Sequence, residues 1–128
     1  MELVAIVVLV ALIQYTIFGA LVGRARMKYK VEAPAVSGDL IFERYYRVHM
    51  NTLESLLMFV PSIFVFATYI SADIAAGLGV IFVIGRQLYL HAYVKDPKSR
   101  ELGFMLTFLP SAILALGGIV GAIMSYAG

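Results

Sequence analysis

The chain has 128 residues, 62% of them hydrophobic and 14% charged; a soluble domain carries about 45–50% apolar and about 25% charged residues, so this composition indicates a membrane protein of one small domain. With no cysteine and only two histidines, His49 and His91, disulfides, thiolate metal sites and His-only metal sites are excluded. A net charge of +2 says little, and no RNP-type or helix-turn-helix context surrounds the basic residues, so no nucleic-acid partner is indicated.

The first apolar run, about 3–22, is long enough to cross a bilayer. Glu2 stands where a signal peptide carries its positive region, so the run reads as a retained first span. Gln14 interrupts it and is expected to hydrogen-bond a neighbouring helix, with a channel-lining role as the other reading. Residues 23–40 are predicted to form a loop, because glycine and proline break any helix there. Asp39 is placed to cap the second helix.

The second span is predicted at about 41–70. A helix of roughly 30 residues reaches ~45 Å against a hydrocarbon core of ~30 Å. Its first turns, which carry Glu43, Arg44, Arg47 and Glu54, must therefore protrude or stand in a polar crevice. Pro61 is expected to kink it. A short turn without a cation leads into the third span, at about 74–94. The polar loop from Lys95 to Arg100 comes next, and then the fourth span at about 102–126. In that last span Gly117, Gly118 and Gly121 fit a small-xxx-small face for close helix contact. The reading is a single all-α domain over 1–128, an integral membrane four-helix bundle.

All ten Lys and Arg residues fall at span ends that meet on one side of this bundle. The positive-inside rule makes those loops cytoplasmic and puts both termini outside. The short chain suits a bacterial inner-membrane protein. An anionic ligand held at the membrane surface would need the same cluster, so topology and ligand binding each account for it.

The polar residues also line up on helix faces. Arg47, Asn51 and Glu54 are spaced i, i+4, i+7, and Arg86, Tyr89 and Tyr93 are spaced i, i+3, i+7. Arg47 offers a rigid fork for carboxylate, Asn51 donors and acceptors, and Glu54 an acceptor for an ammonium or amide. Arg86 lies nine residues before Lys95, ~13 Å in from the end of its span. A charge at that depth needs a partner or water. Glu54 is expected to be that partner in an ion pair, which leaves contact with a ligand open. Tyr89 and Tyr93 also suit an interfacial aromatic belt. His49 and His91 suit packing, and Lys28, Lys30, Lys95 and Lys98 suit solvated topology charges. Two polar stripes at one depth are harder to explain without a binding role.

The run Phe42-Glu43-Arg44-Tyr45-Tyr46-Arg47-Val48-His49-Met50-Asn51-Thr52-Leu53-Glu54 resembles a signature of the MAPEG proteins (membrane-associated proteins in eicosanoid and glutathione metabolism). Gly85-Arg86-Gln87-Leu88-Tyr89-Leu90-His91-Ala92-Tyr93, followed by Lys95-Asp96-Pro97 and Arg100, is similar to a second signature. The loop Tyr29-Lys30-Val31-Glu32-Ala33-Pro34 and Gly38 also fit. The resemblance implies a homotrimer of four-helix protomers that binds glutathione between neighbouring subunits near the cytoplasmic side. It implies glutathione S-transferase or peroxidase activity on lipophilic electrophiles or hydroperoxides, with glutathione as co-substrate and no metal. Under it, Arg47, Asn51, Glu54, Tyr89 and Tyr93 hold glutathione, with Arg86 in the same set. Arg26 touches it from the first helix or the loop after it. His49 stands where relatives often have a glutamine that bonds the glutathione backbone. Arg100 matches the arginine credited with stabilising the thiolate. Two positions depart: Ser55 replaces Tyr or Gln, and Met27 replaces a second arginine of the leukotriene-synthesising members. The competing readings are a non-catalytic lipid-binding scaffold of the same family and a small transporter or channel subunit.

Overall fold

The computed structural model covers residues 1–128. It contains helices α1 (Glu2–Tyr29), α2 (Leu40–Tyr69), α3 (Ala72–Lys95) and α4 (Glu101–Ala127), with a short 3-10 turn at Pro97–Ser99 leading into α4. All four helices are long and apolar enough to cross a membrane, which makes the protein an all-α, multi-pass membrane bundle.

The first helix runs past the predicted loop start at Gly23. Arg24, Ala25, Arg26, Met27 and Lys28 are good helix formers, and Val22 and Ala25 extend the buried stripe of α1. The helix stops at Lys30, which takes the left-handed conformation at φ 58. The Lys30 and Val31 N–H groups both donate to the Arg26 carbonyl. Gly23 itself faces open space, since a Cβ added there meets nothing within 4 Å. Gly23→Ala is therefore expected to stabilise the protein by roughly 0.5–1 kcal/mol, seen as a higher melting temperature in detergent.

The start of α2 obeys its sequence signal. The Asp39 carboxylate accepts from the Phe42 N–H at 2.9 Å and caps the first turn. Beyond it, α2 continues through Pro61 as one helix.

The main core gathers Val4, Val8 and Ala11 of α1, Leu56, Phe59, Ile63 and Phe66 of α2, Ala75, Ala76 and Phe82 of α3, and Leu114 of α4. Phe59 and Phe82 stack with centroids 3.9 Å apart. A smaller cluster of Phe18, Val48, Tyr89 and Leu90 lies towards the basic end. In a bilayer the outward Ile6, Leu9, Ile13 and Ile17 of α1 stay exposed to lipid, so close packing and interhelical hydrogen bonds join the helices. Gln14 supplies such bonds: its Nε2 donates to the Val83 carbonyl at 3.0 Å and to Gln87 Oε1 at 3.2 Å.

Glycines set how near α4 lies to its neighbours. A Cβ on Gly117, Gly118 or Gly121 would meet Phe66 and Val65 of α2 and Ile70 just beyond its end at 2.6–3.1 Å. Towards the basic end, a Cβ on Gly85 would sit 2.8 Å from Leu106, and one on Gly103 would sit 2.6 Å from the Tyr89 backbone nitrogen. The α3–α4 contact at Gly103 brings the start of α4 against Tyr89.

Candidate functional site

Where α2, α3 and α4 meet near the basic end, they enclose a cleft of about 510 Å³. Its walls are Arg47, Met50, Asn51 and Glu54 of α2, Tyr89 and Tyr93 of α3, and Arg100 and Phe104 at the start of α4. The i, i+4, i+7 spacing that begins at Arg47 turns the α2 stripe into one wall. Tyr89 and Tyr93 stack, 5.5 Å between centroids at 17°, and form the second. Arg100 comes from the turn between α3 and α4. Asp96 Oδ1 accepts there from the Lys98 N–H at 3.1 Å, and Ser99 Oγ donates to the Ala92 and Asp96 carbonyls at 3.0 and 2.7 Å. These bonds fix the turn and with it the root of the Arg100 side chain.

None of the cleft's charges is paired within the chain. The sole ion pair is the terminal amine of Met1 with Glu2, at 3.4 Å. Two guanidinium groups and one carboxylate are thus free to meet a ligand. That set suits a molecule bearing carboxylate and ammonium groups, and it can stabilise an anion beside Arg100.

Arg86 lies behind this wall. It is fully buried and its Nη1 donates to Asn51 Oδ1 at 2.8 Å, Ser55 Oγ at 3.2 Å and Thr52 Oγ1 at 3.3 Å. Its guanidinium carbon sits 4.3 Å from the centre of the Tyr89 ring. The expected Arg86–Glu54 ion pair does not form, and Arg86 does not line the cleft. The reason is helical phase. Asn51, Thr52 and Ser55 turn towards α3, whereas Glu54 is rotated about 100° from Ser55 and faces the cleft instead. Arg86 thereby holds the Asn51 amide by its oxygen and leaves the Nδ2 donors free.

Two further expected residues are not brought to the cleft by this chain. Arg26 donates to the Ala35 carbonyl at 2.6 Å and lies over the Phe42 ring at 4.8 Å, in a separate cavity with Met27, Lys30 and Val31. His49 meets the Tyr15 ring edge-on at 4.4 Å and lies against Gly19, in the α1–α2 seam. On α2 the His49 face is roughly opposite the Asn51 face, since two residues rotate the helix by about 200°.

The sequence reading missed Met50, Phe104 and Gly103. Met50 lies three residues after Arg47, on the face of the α2 stripe, and Phe104 four residues after Arg100, so helical spacing was a usable sign of both. The spacing of Gly103, one turn after Arg100 and within the first turn of α4, was a usable sign of close backbone contact. From Glu54 and Phe104 the cleft runs on into a cavity of about 190 Å³ between α2 and α4, lined also by Ser55, Met58, Thr107, Phe108 and Ser111. The polar site therefore adjoins a less polar groove between α2 and α4 whose Met58 and Phe108 are exposed on the outer face of the bundle.

The model of the MAPEG family matches residues 4–120, nearly the whole chain. This chain belongs to the MAPEG family. It is 36% identical to microsomal glutathione S-transferase 2 of Homo sapiens, over 97% of this chain and 84% of that protein. An uncharacterized protein of Synechocystis is 41% identical, over 91% of this chain and 85% of its own length. Leukotriene C4 synthase of Cavia porcellus is 28% identical, over 88% and 87% respectively. This MAPEG chain thus sits among proteins named for glutathione transfer and leukotriene C4 synthesis, which supports a glutathione-related membrane enzyme.

Proposed function

We propose that this MAPEG protein is a membrane-bound glutathione S-transferase or peroxidase acting on lipophilic electrophiles or hydroperoxides. The observation that carries the reading is the convergence of Arg47, Asn51, Glu54, Tyr89, Tyr93 and Arg100 on one cleft. Glutathione offers two carboxylates, an ammonium, two peptide groups and a thiol. Arg47 takes a carboxylate, Glu54 the ammonium, Asn51 Nδ2 a peptide carbonyl, and the tyrosines pack against the backbone and donate their hydroxyls. Arg100 faces the sulfur. A guanidinium beside a thiol favours the thiolate, which is the nucleophile, so the absence of cysteine from the protein is no obstacle.

In conjugation the thiolate forms a carbon–sulfur bond, the leaving group departs with the bonding electrons, and the thiol proton has already passed to water. In peroxide reduction the thiolate attacks oxygen and the O–O bond breaks. The alkoxide takes a proton and leaves as the alcohol, the attacked oxygen stays on sulfur as the sulfenic acid, and the thiol of a second glutathione displaces it as water to form the disulfide. The electrophile lies in the cavity below Phe104, reached from the bilayer.

Arg26 and His49 stand on the far side of α2 from the cleft. In a homotrimer they reach the cleft of a neighbouring copy, so glutathione sits between subunits. The basic loops face the cytoplasm and both termini lie outside, in a bacterial inner membrane. Met27 disfavours leukotriene-type specificity and points to a general detoxifying role.

The test is glutathione-dependent conjugation of a chloronitroarene by the purified protein. Turnover above the uncatalysed rate is expected. Glutathione-independent lipid binding with no turnover would instead identify a non-catalytic scaffold.

Arg86→Met separates positioning from folding. Thr52 Oγ1 and Ser55 Oγ lose the Arg86 bond but keep those to the Val48 and Asn51 carbonyls, so only Asn51 Oδ1 is left without a hydrogen-bond partner. The variant is expected to fold. Its KM for glutathione should rise by roughly 3- to 10-fold, the effect of one hydrogen bond, with a smaller change in kcat.

A further inference from the structure

On the side of the bundle between α1 and α3, at the same basic end, a second crevice shares no residue with the cleft. It consists of two cavities, of about 80 Å³ and about 280 Å³, that have Leu21 and Tyr45 in common. Arg24, Lys28 and Tyr29 line the first; Leu90, His91, Val94 and Lys95 line the second. Three cations therefore surround an apolar floor with no acidic residue in either wall. None of the three is in an ion pair.

Helix C-termini attract cations and repel anions, and both α1 and α3 end here. Part of each end is already capped by other groups. Arg44 Nη1 donates to the Val94 and Lys95 carbonyls at 3.0 and 3.3 Å. The Arg26 carbonyl of α1 accepts from Lys30 and Val31. The Lys28 and Lys95 ammonium groups are not needed to cap the helices and remain exposed at the ends of their spans.

We infer that this crevice binds the phosphate headgroup of an anionic phospholipid. Arg24, Lys28 and Lys95 hold the phosphate, the Tyr29 and Tyr45 hydroxyls donate to it, and an acyl chain runs along Leu21, Leu90 and Val94 into the bilayer. Basic pockets between spans at the cytoplasmic face are suited to such headgroups. The apolar floor is what separates this site from one for a free anion. Charges placed only for topology would lie anywhere at this end, and their effect would be diffuse.

The test compares matched pairs of charge removals in the full-length protein purified in detergent. Lys28→Gln/Lys95→Gln empties the crevice of its lysines. Lys30→Gln/Lys98→Gln removes the same charge from the same end, outside it. Both pairs change exposed side chains, and circular dichroism checks that the helices persist. Retention of phosphatidylglycerol, read by native mass spectrometry, should exceed that of phosphatidylcholine. The first pair should weaken it on the order of 30-fold, from roughly fivefold per lysine near a membrane surface, and the second pair far less. Equal retention of the two lipids, equal loss in both pairs, or no loss in the first would overturn the inference. So would competition by inorganic phosphate at matched concentration, which would identify a free-anion site.

Discussion

Arg100→Ala is expected to lower glutathione conjugation at neutral pH by roughly 30-fold, because a thiol that titrates near about 8.5 is only about 3% thiolate at pH 7. The pH profile carries the diagnosis. A cysteine-type thiol titrates near about 8.5 when free, and a guanidinium beside it favours the charged form, so the bound thiol's pKa is depressed. In the wild type the rate is then flat through neutral pH and falls only in acid, below that depressed pKa. In the variant the pKa returns towards its free value. Its rate should climb about tenfold per pH unit through the neutral range, since each unit multiplies the thiolate fraction by ten, and approach the wild type in alkali. Thiolate absorbance of the complex, titrated with pH for both proteins, checks this. Coincident profiles would remove Arg100 from thiol activation. Affinity for glutathione should change less than turnover, because Arg47, Asn51 and Glu54 remain in the cleft wall.

Gly103→Val is expected to damage both stability and activity, although Gly103 does not line the cleft. Its Cβ would meet backbone and Cβ atoms of Tyr89 at 2.6–2.9 Å. Backbone cannot rotate away as a side-chain tip can, so α4 must move off α3. Overpacking of this kind costs roughly 1–3 kcal/mol. The same shift carries Arg100, one turn earlier, away from Tyr89 and Tyr93. Thermal unfolding in detergent should show a clearly lower melting temperature, and the surviving folded fraction should have reduced kcat. Gly23→Ala is the contrast, because its added Cβ meets nothing. A Gly103→Val protein with unchanged melting temperature and turnover would show that this contact does not set the site.

The four spans and the polar stripes were legible because both obey simple periodicities. Apolar runs report spans, and i, i+3, i+4, i+7 spacing reports a shared face. Gln14 and Asp39 were legible because each is a polar residue placed where unpaired polar groups need it, Gln14 between apolar spans and Asp39 at a helix start. Other features depended on relations between helices. Arg86 and Glu54 lie at similar depth, but depth does not fix the phase of one helix against the next. Glu54 is turned about 100° away from the row that Arg86 meets. The end of α1 was misplaced because Gly23 reads as a breaker, whereas the residues after it favour helix and Lys30 supplies the actual stop. Met50, three residues after Arg47, and Phe104, four after Arg100, share faces with those arginines, but an apolar side chain at such a position reads equally as packing. Arg26 and His49 matched the family's pattern by position, yet the chain places Arg26 against Ala35 and Phe42 and His49 in the α1–α2 seam, away from the cleft.

The most direct measurement is a calorimetric titration of glutathione into the detergent-purified protein, for the wild type and Arg47→Ala. Saturable binding in the wild type, sharply weakened in the variant, is expected if the cleft between α2, α3 and α4 holds glutathione. Absence of binding at millimolar glutathione, or equal binding by both proteins, would contradict it.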